Sequence, residues 1–217
     1  MTISFEYNRE KDSWCLLTYG KSSFNSPTPT KSYEKLIEVC VDNPNKEATS
    51  AFIDTYLADT GIDVQERVST YQKEWDTIAT EYQKRAETIF KCTLSRDITA
   101  YMTINNRCPY SVQDNFFFVS LSGTTIRKTA IHELWHFFTW ERFGSEWEEK
   151  LGKQTYNDIK ESLTVLLNVE CADLLPEGVL DTGYPQHKEL REKILRLWSE
   201  TKDIDTLWET LTTHSEM

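Results

Sequence analysis

Apolar and polar residues alternate over residues 3–7 and again over residues 14–18, which predicts two short strands joined by a polar turn at 8–13. Residues 20–30 are rich in Ser and Pro and read as a loop. The period then lengthens. Tyr33, Leu36, Ile37 and Cys40 recur at helical spacing and predict a helix over 31–41, stopped by Asn43-Pro44. A second helix is predicted over 46–58, ended by Asp59-Thr60-Gly61. The longest periodic stretch is 63–90, where Val64, Val68, Tyr71, Trp75, Ile78, Tyr82 and Ile89 follow steps of three and four. It predicts one long helix lying across a core, in preference to a coiled-coil partner surface, because an aromatic-rich seam suits packing on a sheet.

Alternation returns at 97–105, and residues 115–120 (NFFFVS) place apolar residues in succession, so two strands are expected and the second is covered on both faces. Residues 108–115 between them are irregular. After the turn at 122–125, where Thr124 or Thr125 can cap, a strongly apolar helix runs to Gly144. Further helices are predicted over 156–174, 187–200 and 205–212, with a stop at Pro176 and Gly178 and a turn at 181–185. Glu146, Glu148 and Glu149 read as a solvated face. Helices, a few strands and helices again predict an α+β fold.

Composition narrows the class. A chain of 217 residues with 39% hydrophobic and 27% charged residues suits one globular domain, arranged as an N-terminal hairpin and helices (1–93), a sheet plus motif helix (94–143) and a helical C-terminal part (144–217). The net charge of −11, with no Lys/Arg cluster, argues against nucleic acid as a partner. No stretch approaches the roughly 18 apolar residues of a membrane span, and the N-terminus has no apolar leader. Cys15, Cys40, Cys92, Cys108 and Cys171 are odd in number, with long spacings and no C-x-x-C. Free, buried thiols in the reducing cytoplasm are the expectation, without a membrane partner.

The chemistry concentrates in Thr129–Phe138, TAIHELWHFF. On a helix, His132 and His136 sit one turn apart on one face and can present two imidazole nitrogens to one metal ion. Glu133 lies about 100° round the helix, where it can reach a water on that ion. Chance placement would produce this five-residue pattern in roughly one chain in a hundred of this composition. The flanking residues are uncharged, so the helix is expected to be buried on nearly all sides. Burying two His and a Glu without partners costs several kcal/mol, so the trio needs a reason, which a metal supplies and a satisfied core hydrogen-bond network would also supply.

This run resembles the extended signature of the zincin metallopeptidases. The resemblance implies a zincin-like fold: a small twisted β-sheet packed on the H-E-x-x-H helix and a long helix, followed by a helical part carrying a third ligand. It implies Zn²⁺, a peptide or protein substrate, and hydrolysis through a zinc-bound water with Glu133 as general base. An edge strand of such a sheet holds extended peptide; residues 110–113 or the start of the Phe116 strand would correspond. The metzincin extension is missing, because Thr139 and Arg142 occupy its glycine and third-histidine positions. The gluzincin arrangement takes a Glu from a following helix. Glu161 is the best candidate, on a polar face with Thr164 and Asn168 in an apolar segment; Asp158 and Glu170 are rivals. Where gluzincins often have an acid four residues later, this chain has Val165, so support for the histidines is unidentified. His187 and Tyr184, in the GYPQH turn, are candidates for steadying the oxyanion; His214 lies near the C-terminus. Two other readings remain: a catalytically silent zincin-like protein that holds a partner at its sheet edge, and a helical interaction protein with a chance motif.

Overall fold

In the computed structural model, which describes residues 1–19 and 45–213, the N-terminal alternation forms strand β1 (Thr2–Glu6) but no hairpin follows it. Residues 14–18, expected as a second strand, lie in helix α1 (Arg9–Tyr19). The polar stretch read as a turn starts that helix: Asn8 Oδ1 accepts from the backbone N–H groups of Glu10 at 3.0 Å and Lys11 at 3.1 Å, which satisfies two of the donors a helix start leaves open. Helix α2 (Lys46–Thr60) is capped by Asn45 and closed by Gly61, whose φ of 64° suits a residue without a side chain. The long helix expected over 63–90 breaks into α3 (Val64–Asp76) and α4 (Ala79–Phe90). The break falls at Thr77-Ile78. The loop expected at 20–30, the helix at 31–41 with its Asn43-Pro44 stop, Cys40 and His214 lie outside the described residues.

The chain clusters into two compact units, each built from two separated stretches. The first comprises Met1–Trp75 and Arg96–Ile126 and contains the sheet. Strands β2 (Asp97–Thr103), β3 (Tyr110–Ser111) and β4 (Phe116–Ser120) join β1 in the order β1-β2-β4-β3. The sheet is mixed: β1 with β2 and β2 with β4 are parallel, whereas β3 with β4 is antiparallel. The irregular stretch thus contains a two-residue edge strand. Of the two stretches offered as an edge, only the one at Tyr110 qualifies, since β4 is internal. Phe116, Phe117, Phe118 and Val119 are all buried, as expected of a strand covered on both faces. At the other edge, Gln72 of α3 accepts from Phe5 N at 2.9 Å and donates to Ile3 O at 3.1 Å. Among the described residues no strand pairs with β1 on that side, and Gln72 meets its backbone groups instead. Asp12 ties α1 to the end of β2, its Oδ1 accepting from Thr103 Oγ1 at 2.6 Å and from Ile104 N at 3.1 Å.

The second unit comprises Asp76–Ser95 and Arg127–Met217 and is helical. Its main element is α5 (Ile126–Leu151), kinked at Gly144, whose φ of −9° and ψ of −127° are not helical. The helix therefore bends where its end was expected and resumes beyond. Leu134, Trp135, Phe137 and Phe138 are fully buried on it, and burying each large apolar side chain is worth about 1.5–3 kcal/mol. Phe90 of α4 packs against Trp135 and Phe138, with ring centroids 4.8 and 5.8 Å away. Tyr82 donates to Ile131 O at 3.0 Å. The helix expected over 156–174 is broken as well: α6 (Lys153–Leu163) passes through a 3₁₀ turn (Thr164–Leu166) into the short α7 (Leu167–Glu170). A second 3₁₀ turn (Pro185–His187) leads into α8 (Lys188–Thr201) and α9 (Ile204–Thr213). Trp208 of α9 stacks on Phe143 with centroids 4.0 Å apart. The fold class is α+β. No helix among the described residues is long and apolar enough to cross a membrane.

Candidate metal centre

Helix α5 puts His132 and His136 one turn apart, and their Nε2 atoms are 3.1 Å from each other. From α6, Glu161 brings its Oε2 to 3.4 Å from His136 Nε2 and 3.9 Å from His132 Nε2. A tetrahedral ion with bonds of about 2.0–2.1 Å needs ligand atoms about 3.4 Å apart, so this triangle is of the right size. All three side chains can offer one ligand atom each to a common ion. The rival acids are engaged elsewhere. Asp158 accepts from His187 and from Gln154, and Glu170 accepts from Trp198 Nε1 and Lys202.

A carboxylate from a loop orients the first histidine. Asp181 Oδ2 lies 2.6 Å from His132 Nδ1. An acceptor there keeps the proton on Nδ1 and leaves a lone pair on Nε2, the state a metal requires. Asp181 is itself held on every side. Its N–H donates to Asn168 Oδ1 and its C=O accepts from Asn168 Nδ2, both at 2.8 Å. Its Oδ1 accepts from Thr164 Oγ1 at 2.8 Å and from the buried Arg191 guanidinium at 3.0 Å. Two residues on, Gly183 has a φ of 61°, and a Cβ there would come within 2.5 Å of Arg191 Nη1. Only glycine meets both conditions. On the other ligand, Glu161 Oε1 pairs with the buried Lys160 ammonium at 3.1 Å, so one carboxylate oxygen is anchored while the other faces the histidines.

Charge states follow from burial and these contacts. Burial lowers His136 to about 4, which keeps its imidazole neutral near pH 7. Burial also lowers His132, but the Asp181 hydrogen bond and the charges of Glu133, Asp181 and Glu161 outweigh it and raise the net value. Burial raises Glu161 and Asp181. The contact with His136 outweighs it in Glu161, which lies far below the usual carboxylate range, and the bond to His132 holds Asp181 at about 2. The two Nε2 atoms and a Glu161 oxygen converge here, a group of atoms that could hold a cation.

Glu133 is 8% exposed, and its Oε2 has no hydrogen-bond partner among the described residues. Burial raises its carboxyl to about 7. It lines a cavity of about 220 Å³ with Lys128, Thr129, His132, Asp181, Thr182, Gly183 and Tyr184. Tyr184 thus stands on the wall of the cavity that His132 also lines, about half exposed. His187 does not line this cavity: it is buried, with Nε2 3.1 Å from Asp158 Oδ1. Asp181, Arg191 and Lys160 were not picked out from the sequence. The polar face of Thr164 and Asn168 was the available signal, since polar groups in an apolar segment need partners; which residue would supply them was not readable. The chain matches no protein-family model, no curated protein and no solved structure.

Proposed function

We propose that the protein is a zinc-dependent metallopeptidase with a gluzincin-like ligand set, His132, His136 and Glu161. The observation that carries this reading is the triangle of His132 Nε2, His136 Nε2 and Glu161 Oε2, with sides of 3.1 to 3.9 Å, beside the buried Glu133. A zincin-like fold is supported more coarsely, by a mixed sheet that precedes the H-E-x-x-H helix in the chain and an acid-bearing helix that follows it. Zinc bound by these three residues supplies Lewis acidity, which makes water a nucleophile near neutral pH and polarises a carbonyl.

The chain's own residues do the rest. Glu133 takes a proton from the attacking water at its carboxylate, as the new C–O bond forms. It then passes that proton to the amide nitrogen as the C–N bond breaks, so the products are a carboxylic acid and an amine. Burial raises this carboxyl, which favours its taking up a proton and handing it on. Asp181, 2.6 Å from His132 Nδ1, orients that ring. Tyr184, on the cavity wall, is the donor proposed for the carbonyl oxygen as it gains charge. His187, bonded to Asp158, is not assigned that role.

The test is zinc content together with peptide hydrolysis. Glu133→Gln is expected to keep one zinc per chain and to slow hydrolysis by about 10²–10⁴-fold. His136→Ala is expected to lose the metal. Hydrolysis that survives Glu133→Gln would exclude the mechanism.

A further inference from the structure

The first turn of α5 carries Arg127 and Lys128 and no acidic residue. This runs against the usual bias, because the N-terminal end of a helix is itself the equivalent of about half a positive charge and favours acids. The chain as a whole carries a net charge of −11, so a cationic helix start is a local exception.

Lys128 is four residues before His132, hence on the same helix face, and it lines the cavity with His132, Glu133 and Tyr184. Lys91, Lys150, Lys160 and Lys202 each pair with a carboxylate; no ion pair is found for Lys128 among the described residues. The two carboxylates on the cavity wall do not serve it. Asp181 is committed to His132, Thr164 and Arg191, and Glu133 is buried with an unbonded oxygen. A cavity of about 220 Å³ is below the about 300–1,000 Å³ of drug-sized sites, so it takes one end of a peptide substrate.

We infer that Lys128 is a specificity-determining residue that binds a carboxylate of the substrate beside the scissile amide. The preferred substrates are then peptides that present an anion there, from a free C-terminus or from an Asp or Glu side chain. This inference rests on the metallopeptidase reading and deepens it. A charge-assisted hydrogen bond at such a site favours the acid over its neutral counterpart by about tenfold or more.

Two matched peptide pairs test it on the zinc-loaded protein: one with a C-terminal acid or amide next to the cleaved bond, one with Glu or Gln there and both termini blocked. The ratio of kcat/KM within each pair is read for the wild type, Lys128→Met and Lys128→Glu. A second readout is calorimetric binding of a mercaptoacetyl dipeptide, as acid and as amide, to zinc-loaded Glu133→Gln protein with and without Lys128→Met. The expected result is a preference of about tenfold for the acid in one pair, near unity in Lys128→Met and reversed in Lys128→Glu. The pair that responds identifies the terminal or side-chain source. Ratios near unity in the wild type, or unchanged in Lys128→Met, overturn the inference and leave the peptidase reading intact. If no peptide is cleaved and no zinc is taken up, the peptidase reading fails, and this inference with it.

Discussion

Asp181 is the residue on which the candidate centre turns after the ligands themselves. Its Oδ2 holds His132, and its other polar atoms are taken by Asn168, Thr164 and Arg191. A carboxylate fixed in this way cannot swing off the imidazole, so the lone pair on His132 Nε2 keeps its aim. Asp181→Asn removes the charge with little change in shape. It is expected to weaken zinc binding by about 10–100-fold, read by competition against a chromophoric chelator. An unchanged affinity would show that His132 is oriented by other groups. Gly183 belongs to the same construction, because any side chain there would meet the Arg191 guanidinium.

Among the elements, α1 and β2 share a buried acid. Burial pushes Asp12 up to about 6 even though Thr103, Ile104 and Tyr7 donate to it. The ordinary value is about 3.9. Between these two values the folded chain holds a proton that the unfolded chain releases. The group's contribution to stability is therefore complete below about pH 4 and is lost as pH rises through 6. A shift of this size corresponds to about 2–3 kcal/mol. Urea-unfolding free energies of the wild type and Asp12→Asn, measured from pH 4 to pH 7, are expected to show the wild type losing about that much relative to the variant. Parallel curves would place the titration elsewhere. Residues 14–18 (WCLLT) suit a strand or a helix equally, and α1 forms because Asn8 caps it and its buried face, with Cys15 and Leu16, packs in the sheet unit. The breaks at Thr77-Ile78 and at Thr164 interrupt patterns whose apolar spacing carries straight on.

For the molecule as a whole, a metal held at this candidate centre would be linked to folding. His132 and His136 come from α5, Glu161 from α6, and Asp181 from the chain after α7, so the ligand set exists only when the helical unit is folded. Zinc that binds the native state alone adds about 2.7 kcal/mol at a hundred times its Kd. A higher Tm with zinc is expected for the wild type and not for His136→Ala. Cys171, in the same unit, reports on this independently. Burial raises its thiol to about 12, which keeps it unreactive in the fold. Its alkylation, followed by mass spectrometry, is expected to track unfolding and to slow when zinc is added. Alkylation at an equal rate with and without zinc would break the link between the metal and this unit.

That His132, His136 and Glu161 would come together was legible from the sequence. Two histidines four residues apart share a helix face by the helical repeat, and Glu161 stood out as a carboxylate on a polar stripe in an apolar segment. The α+β class and the doubly covered β4 were legible for the same reason, since periodicity and burial are written along the chain. The partner of His132 was not, because Asp181 is 49 residues away in sequence and sits in a turn whose residues look like any polar loop. Only the tertiary structure brings Asn168, Thr164 and Arg191 around it. Long-range polar contacts leave no period in a sequence, so they become visible only when the folded backbone has brought their donors and acceptors together.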